Sequence, residues 1–230
     1  MHLWQNKIQA KNVDLIICSS NKYSSYYKGI NCNHVLEIPH GVSDDEFKLN
    51  STKVNAIKNQ YGKFVILIGT IASNVAIKLL KEIALKKINL LIIGSETIRN
   101  EEWAALKELD HIHYLGILNA KELNNYIAAS QAGLISYQFI PKINQVARTP
   151  LKALNYLAQY KPIITSIDAE IEELKNHGIY RAKNVKEYVS LVDEAINSTL
   201  DLNIEKVNQY LENHKYPILI NTILNQFDKS

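Results

Sequence analysis

Short runs of aliphatic residues alternate with segments of helical periodicity along this chain, and the alternation limits its fold to few architectures. The runs span residues 14–18, 34–38, 64–69, 89–94, 111–115, 132–137 and 162–166. Continuous aliphatic runs are typical of parallel strands that are buried on both faces. Helical patterns such as 74–87 and 100–109 lie between them, and Asn119 with Glu122 resembles a capping box for a helix that reaches Ala129. The alternation predicts an α/β fold, a Rossmann-like parallel sheet with helices on both faces, whose ligand lies beyond the carboxyl ends of the strands.

Composition narrows the classes of function. The chain has 230 residues, enough for one large domain or one domain with appendages. A net charge of +3 without a basic run argues against nucleic acid as a partner. The apolar runs are too short to cross a bilayer and the first residues lack a signal-peptide core, so we expect a cytoplasmic protein with at most peripheral membrane association. Cys18 and Cys32 form no metal-binding spacing and are expected to be buried free thiols.

Single glycines follow three of the predicted strands, at Gly69, Gly94 and Gly116. The chain has neither the Gly-x-Gly-x-x-Gly fingerprint of dinucleotide-binding folds nor a phosphate-binding P-loop. One glycine after a strand usually marks a turn. Three at successive strand ends indicate an edge where a ligand approaches bare backbone.

A predicted helix begins beside this edge with a lysine in its first turn. Thr149 is a suitable N-cap, Pro150 suits the first helical position, and Lys152 then lies where free backbone N–H groups favour an anion. Lys152 and Asn155 share one face of this helix. The residues expected to face the core are Leu151, Leu154 and Ala158. A surface helix with an ordinary lysine is the alternative, but the flanking strands favour a phosphate site.

Residues 150–164 resemble the signature P-x-K-[aliphatic]-x-E-Y-[LM]-A-x-G-K-P-[VI]-[VI] of family-4-type glycosyltransferases, which have the two-domain GT-B fold. The resemblance implies that Lys152 and the helix start hold the diphosphate of the nucleotide. It also implies that position 155 holds the ribose hydroxyls. Two residues depart from the signature: Asn155 replaces the acidic residue and Tyr160 replaces the glycine.

Weaker similarities follow in the order that the family shows. Residues 13–20 resemble the strand that joins the two GT-B domains, 38–42 resemble its IPNGVD loop, and 132–137 occupy the place of A-D-V-x-[IL]-x-P. Further matches cover 64–71, 90–95 and 113–123. They imply a donor site that includes Gly69, Thr70, Gly94, Ser95, Leu115, Gly116 and Ile117, in which the residues around Gly116 contact the base.

Three further residues are weaker candidates. Arg148 precedes the lysine-bearing helix and is a second candidate for the diphosphate, although a surface charge explains it equally well. His40 follows a predicted strand near the expected cleft, and Tyr137 ends a strand near the proposed site, so each is a candidate for substrate contact. No residue is assigned as catalytic.

The resemblance implies that this chain is the C-terminal, nucleotide-sugar-binding half of a glycosyltransferase that acts in bacterial surface-polysaccharide or glycoconjugate synthesis. Its donor would be a UDP- or GDP-linked sugar, without a metal or a cofactor. The expected organisation is a linker remnant over 1–12, the nucleotide-sugar domain over 13–215 and a C-terminal helix over 216–230 that packs toward a missing N-terminal acceptor domain or subunit. Trp4, Tyr216, Leu219 and Ile223 would then form an apolar patch for that partner or for self-association. A non-catalytic domain that serves as a regulator or interaction subunit is the alternative.

Overall fold

The computed structural model describes residues 10, 12–30, 32, 34–139, 151–167, 171 and 174–227. The chain divides into two compact units, Met1–Val42 with Glu212–Ser230, and Ser43–Leu211. These units differ from the organisation expected from the sequence, because residues 13–42 group with the C-terminal segment. The packing of that segment toward a further domain stays a prediction.

The smaller unit contains a two-stranded parallel sheet. Strand β1 (Ile16–Cys18) leads into helix α1 (Asn21–Gly29) and strand β2 (Val35–Glu37), and Ile16 pairs with Val35. The expected strands at 14–18 and 34–38 are therefore present, but they form a sheet of their own. Ile17 is accordingly 50% exposed, whereas a central strand of a large parallel sheet would be covered on both faces.

The larger unit alternates helices with parallel strands. In chain order its elements are a short 3₁₀ helix (Asp44–Phe47), α2 (Ser51–Tyr61), β3 (Phe64–Ile68), α3 (Ile77–Leu85), β4 (Asn89–Ile93), α4 (Glu101–Lys107), β5 (Ile112–Tyr114), α5 (Ala120–Ala129), β6 (Ala132–Ile135), α6 (Leu151–Ala158), β7 (Ile163–Thr165), β8 (Ile179–Arg181), α7 (Val185–Ile196) and α8 (Ile204–Asn213). The strands form one sheet in the order β5-β4-β3-β6-β7-β8, and every neighbouring pair is parallel. The predicted Rossmann-like fold class is thereby confirmed.

Helices cover both faces of this sheet. Helix α3 packs against α4 and α7, while α5 packs against α2 and α6. Every residue of β3 is buried, as expected for a central strand that is covered on both faces. At the start of α5 the side chain of Asn119 accepts a hydrogen bond from the Glu122 N–H (3.0 Å), which confirms the predicted cap.

Two expectations about the larger unit were wrong in detail. Strand β8 was not predicted, because it has three residues of which only Ile179 is buried, and so lacks an aliphatic run. In α6, Leu154 and Ala158 are buried as expected, but Leu151 is 54% exposed. Leu151 is the first residue of the helix, and Ala153, Tyr156 and Leu157 supply the remaining buried surface.

The last helix, α9 (Tyr216–Phe227), belongs to the smaller unit. Leu219 was expected in an exposed apolar patch, but it is buried, and Ile223 is half-buried. The exposed apolar residues of this helix are Tyr216, Ile218, Ile220 and Leu224. Tyr216 is thus exposed as expected, whereas Leu219 and Ile223 lie on the side of the helix that is covered. Trp4 lies outside the described residues.

The helices of the described chain are not of the kind that crosses a bilayer: none of them reaches the necessary length with an apolar composition.

Candidate functional site

The three glycines predicted to face a ligand lie at one edge of the large sheet. Gly69, Gly94 and Gly116 follow β3, β4 and β5, with φ angles of 108°, 148° and 67°. The Gly69 N–H donates to the carbonyl of Ile93 (2.9 Å), and the Gly94 N–H donates to the carbonyl of Gly116 (2.7 Å). The parallel ladder therefore continues through the three glycines and holds them side by side.

The glycines serve different structural purposes. A Cβ added at Gly94 would collide with the carbonyl group of Gly69, so glycine at position 94 is required by packing of backbone on backbone. At Gly116 nothing lies within 4 Å of an added Cβ, so that position faces open space. The edge thus combines a close-packed centre with an open flank.

The other residues predicted at this edge are beside the glycines. The hydroxyls of Thr70 and Ser95 lie 3.1 Å apart within hydrogen-bonding distance. The Leu115 N–H donates to the carbonyl of Ile92 (2.9 Å), which fixes the start of the next loop. Ile117 is 75% exposed, an unusual degree for an isoleucine in an ordered loop. The structure therefore assembles the predicted set from 69 to 117 along one edge.

Lys152 reaches this edge from the first turn of α6. A Cβ at Gly69 would lie 3.2 Å from Lys152 Nζ, so the ammonium lies directly against the glycine backbone. The side chain is half-buried, and burial lowers the pKa of Lys152 to about 8. Among the described residues no carboxylate lies within salt-bridge distance of this amine. The site therefore holds a partly desolvated positive charge.

Tyr137 also contacts this amine. Lys152 Nζ is 5.3 Å from the centroid of the Tyr137 ring, which is within the range of a cation–π interaction. The backbone of Tyr137 is fixed by Ser166, whose Oγ accepts from the Tyr137 N–H (2.8 Å) and donates to the Tyr137 carbonyl (2.7 Å). Tyr137 also pairs with Val75 in the loop after β3. These bonds fix the backbone from which the ring of Tyr137 projects.

A buried tyrosine that sequence reasoning did not single out anchors the lysine-bearing helix to the sheet. Tyr156 Oη accepts from the Ile68 N–H (3.0 Å) and donates to the Leu134 carbonyl (3.1 Å). Ile68 directly precedes Gly69, so this contact ties α6 to the strand that ends at the glycine edge. Gly133 makes room for the ring, because a Cβ there would collide with it. A glycine inside a predicted strand is the signal that indicates such a close approach.

Asn155 lies one turn beyond Lys152 on α6 and is half-buried. At the other end of the helix Tyr160 adopts a left-handed backbone conformation with φ 51°, where the family signature has glycine. Its hydroxyl donates to Asn208 Oδ1 (2.8 Å), and this bond offsets part of the cost of that conformation. Helix α6 therefore ends at a left-handed residue, as the glycine of the signature would allow, although the residue here is Tyr160.

A cavity of about 510 Å³ adjoins this edge. Ser73 and Val75 line it from the loop after β3, and Gln138 lines it next to Tyr137. The first residues of α3, α4 and α7 form its opposite wall.

The roles expected of His40 and Arg148 stay predictions. His40 belongs to the smaller unit and is described with that unit only. Arg148 lies outside the described residues, as do the predicted cap residues Thr149 and Pro150. Within the part of the chain that the structure describes, no group of three or more His, Cys, Asp or Glu side chains is arranged to hold a metal ion.

No protein-family model matches this sequence, and no curated protein matches it either. Solved structures do match its fold. Alr3699/HepE of Anabaena, in complex with UDP and glucose, superposes with a TM-score of 0.71 at 12% identity over 95% of this chain and 63% of its own. WaaG, a glycosyltransferase involved in lipopolysaccharide biosynthesis, gives a TM-score of 0.66 at 12% identity, with 90% of this chain and 60% of WaaG covered.

Sucrose-phosphate synthase of Thermosynechococcus elongatus gives a TM-score of 0.68 at 16% identity, over 97% of this chain and 60% of the synthase. The chain thus spans between 60% and 63% of the length of these three proteins. At such identities the likeness concerns the fold, and function has to be argued from the site. The chain has the fold of one half of a GT-B glycosyltransferase.

Proposed function

We propose that this chain is the nucleotide-sugar-binding half of a glycosyltransferase, and that the donor diphosphate binds at the glycine edge of the large sheet. One observation carries the proposal: a half-buried lysine ammonium lies against the bare backbone of Gly69, and no described carboxylate compensates its charge. A desolvated cation beside exposed backbone attracts an anion of matching size.

In the proposed complex Lys152 and the first turn of α6 bind the diphosphate. The positive end of the helix adds to the lysine charge, and the Gly69-Thr70 backbone lies within the same edge. During transfer the bond between the sugar C1 and the diphosphate oxygen breaks, a bond from C1 to the acceptor oxygen forms, and the acceptor hydroxyl loses its proton. Lys152 then stabilises the charge that develops on the departing diphosphate, and the reaction proceeds without a metal.

The nucleoside is proposed to lie along the flank formed by the loops after β4 and β5. Open space adjoins Gly116 and Ile117 is exposed, so a planar base has room and apolar surface to contact there. Asn155 is the proposed partner of the ribose. Its amide offers one neutral acceptor where the signature has a carboxylate. UDP in the structure of HepE supports a UDP-linked donor, with GDP as the alternative.

The acceptor is proposed to bind to a further domain or subunit. This chain covers only 60% to 63% of the three matching solved structures, and the GT-B resemblance implies that the acceptor binds to the part that it does not cover. The exposed apolar residues of α9, Ile218, Ile220 and Leu224, are a proposed contact surface for it. The described role of WaaG in lipopolysaccharide biosynthesis supports a role for this chain in bacterial surface-polysaccharide synthesis in the cytoplasm.

A non-catalytic, regulatory role is the second candidate. The observation that favours it is the replacement of the signature carboxylate by Asn155. A regulator that retains the fold would bind nucleotide weakly and would not turn over a donor when its partner is supplied.

Calorimetric titration with UDP, GDP and uridine tests the proposed site. We expect at least one nucleoside diphosphate to bind more tightly than uridine, because only the diphosphates reach Lys152. Absence of binding by either diphosphate at millimolar concentrations would contradict the proposal.

Transfer assays separate the catalytic from the regulatory role. Because orientation of two reactants supplies roughly 7–11 kcal/mol of the barrier reduction, the isolated chain should transfer no sugar. Activity should appear when a matching acceptor half is added, and light scattering should show the association. Rapid transfer by the pure monomer would refute the half-enzyme proposal.

A further inference from the structure

Tyr137 is the described aromatic residue in contact with the Lys152 amine, and its surroundings are built to keep it there. Its ring centroid is 5.3 Å from Lys152 Nζ, and two hydrogen bonds to the buried Ser166 hold its backbone. The pairing with Val75 ties the same residue to the loop after β3. The residue that carries the ring is therefore anchored through its backbone, and the ammonium lies over that ring.

We propose that Tyr137 is a positioning residue, which holds the Lys152 ammonium through its aromatic face and aims it at the backbone of Gly69. The sequence suggested a different role for Tyr137, a contact with substrate. In the structure the Lys152 amine lies over its ring, 5.3 Å from the centroid, and the contact with substrate stays a prediction. Through Lys152, Tyr137 sets the geometry of the anion site.

Energetics favour this role over simple filling of space. Lysine side chains lose considerable conformational entropy when they are fixed, and a buried ammonium loses hydration. The negative face of an aromatic ring replaces part of that hydration. An aliphatic side chain of similar size would exclude water equally well, but it would not attract the charge. The two roles therefore differ in their effect on the charged form of Lys152.

The electrostatic surroundings are simple enough to test this difference. Burial lowers the pKa of Lys152, and no charged neighbour contributes. Two phenols belong to this region: that of Tyr137, whose ring contacts the amine, and that of Tyr156, four residues along α6, whose hydroxyl bonds to the backbone next to Gly69. Burial raises the pKa of both. Neither phenol therefore ionises in the range where Lys152 does.

The first experiment needs no ligand. Carbon-13 NMR of labelled lysine Cε, assigned with Lys152→Arg, measures the pKa of Lys152 in the wild type, Tyr137→Phe and Tyr137→Leu. We expect Phe to match the wild type, since the ring is kept. Leu should give a pKa about one pH unit lower, since the amine stays buried without the ring. Equal values in the Phe and Leu variants would overturn the proposal.

The second experiment measures UDP affinity at pH 7 and rests on the proposed function. The Phe variant should bind like the wild type, and the Leu variant about threefold to thirtyfold more weakly. Tyr126→Leu, a half-buried tyrosine of α5, is the matched control and should not change the affinity. Equal affinity of the Phe and Leu variants would contradict the positioning role.

The two experiments distinguish the possible failures. If the wild type binds no UDP but the Lys152 pKa is lower in the Leu variant than in the wild type and the Phe variant, the proposed function fails. The positioning of Lys152 by Tyr137 is then still supported. If Tyr137→Leu does not fold, Tyr137→Met supplies an unbranched aliphatic replacement for both measurements, and the same results decide.

Discussion

Two lysines of the large unit lie over aromatic rings at nearly the same distance, but only one of them has a carboxylate partner in the described structure. Lys107 Nζ is 5.3 Å from the Trp103 ring and 5.4 Å from the Tyr114 ring, and 3.0 Å from Glu96 Oε2. Lys152 Nζ is 5.3 Å from the Tyr137 ring and has no described carboxylate within reach. Glu96 therefore neutralises the charge of Lys107, whereas the charge of Lys152 is available to an anionic ligand.

The contrast extends to the groups around each lysine. Glu96 also accepts from the Trp103 indole N–H (2.6 Å), and these bonds hold the pKa of its carboxyl below the usual value. That cluster is complete without a ligand. At Lys152 burial lowers the pKa to about 8, which means that the folded state disfavours the charged form of this amine. A buried charge that destabilises the free protein is typical of binding sites, where stability is given up for function.

The largest expected effect is therefore on stability: the same substitution should change the free energy of unfolding in opposite directions at the two lysines. Lys152→Met removes a buried charge that no described carboxylate neutralises, so the free energy of unfolding at pH 7 should rise, on the order of 1–3 kcal/mol. Lys107→Met removes an ion pair and a cation–π contact, so stability should fall. Urea unfolding measures both. A loss of stability in both variants would show that the Lys152 charge is compensated in the native state.

The pH dependence sharpens this comparison. Lys152 has a pKa of about 8 when folded and about 10.5 when unfolded, so between these values the unfolded chain binds the extra proton. The free energy of unfolding of the wild type should therefore rise as pH increases from about 8 to 10.5, because the cost of burying the charge disappears. The advantage of Lys152→Met over the wild type should shrink across that range. An advantage that is constant with pH would mean that burial of charge is not its cause.

Ligand binding should change with pH in the opposite direction. Because the proposed diphosphate contact needs the ammonium form, UDP affinity of the wild type should fall as pH rises through about 8. The fall should approach the loss caused by removing the side chain, about tenfold or more at pH 10. Calorimetry at pH 7 and pH 10 measures it, with uridine as the control. An affinity that does not change between these pH values would exclude Lys152 from the contact.

The smallest expected effect concerns the neighbour of Lys152 on α6. Asn155→Glu restores the carboxylate of the signature, and a charged acceptor should bind the ribose hydroxyls more strongly than an amide. UDP affinity should rise several-fold, by about 1 kcal/mol or slightly more. A folded variant with unchanged affinity would indicate that ribose does not lie at position 155, and would favour the regulatory role.

Much of the fold could be predicted from the sequence, because its signals are local. A buried parallel strand such as Phe64–Ile68 requires an aliphatic run, and the glycine that ends it is visible in the sequence. Since parallel strands end at the same edge, the order of strands and glycines along the chain is enough to place Gly69, Gly94 and Gly116 together. The same reasoning places Lys152 beside them.

The rest depends on contacts between distant parts of the chain. Tyr156 hydrogen-bonds to backbone some ninety residues away, and nothing within α6 indicates it. The contact of Tyr137 with Lys152 depends on how the loop after β6 turns, which residue types alone do not determine. Strand β8 was missed because an edge strand of three residues gives no periodic signal.

The proposal that the glycine edge and Lys152 bind a nucleoside diphosphate is tested most directly by calorimetry on a matched pair of variants. Lys152→Ala should weaken UDP binding by about tenfold to a hundredfold and leave uridine binding unchanged. Lys107→Ala, which removes the lysine whose charge Glu96 already neutralises, should leave both unchanged. Equal losses for UDP and uridine in Lys152→Ala, or equal UDP affinity in the two variants, would contradict the account.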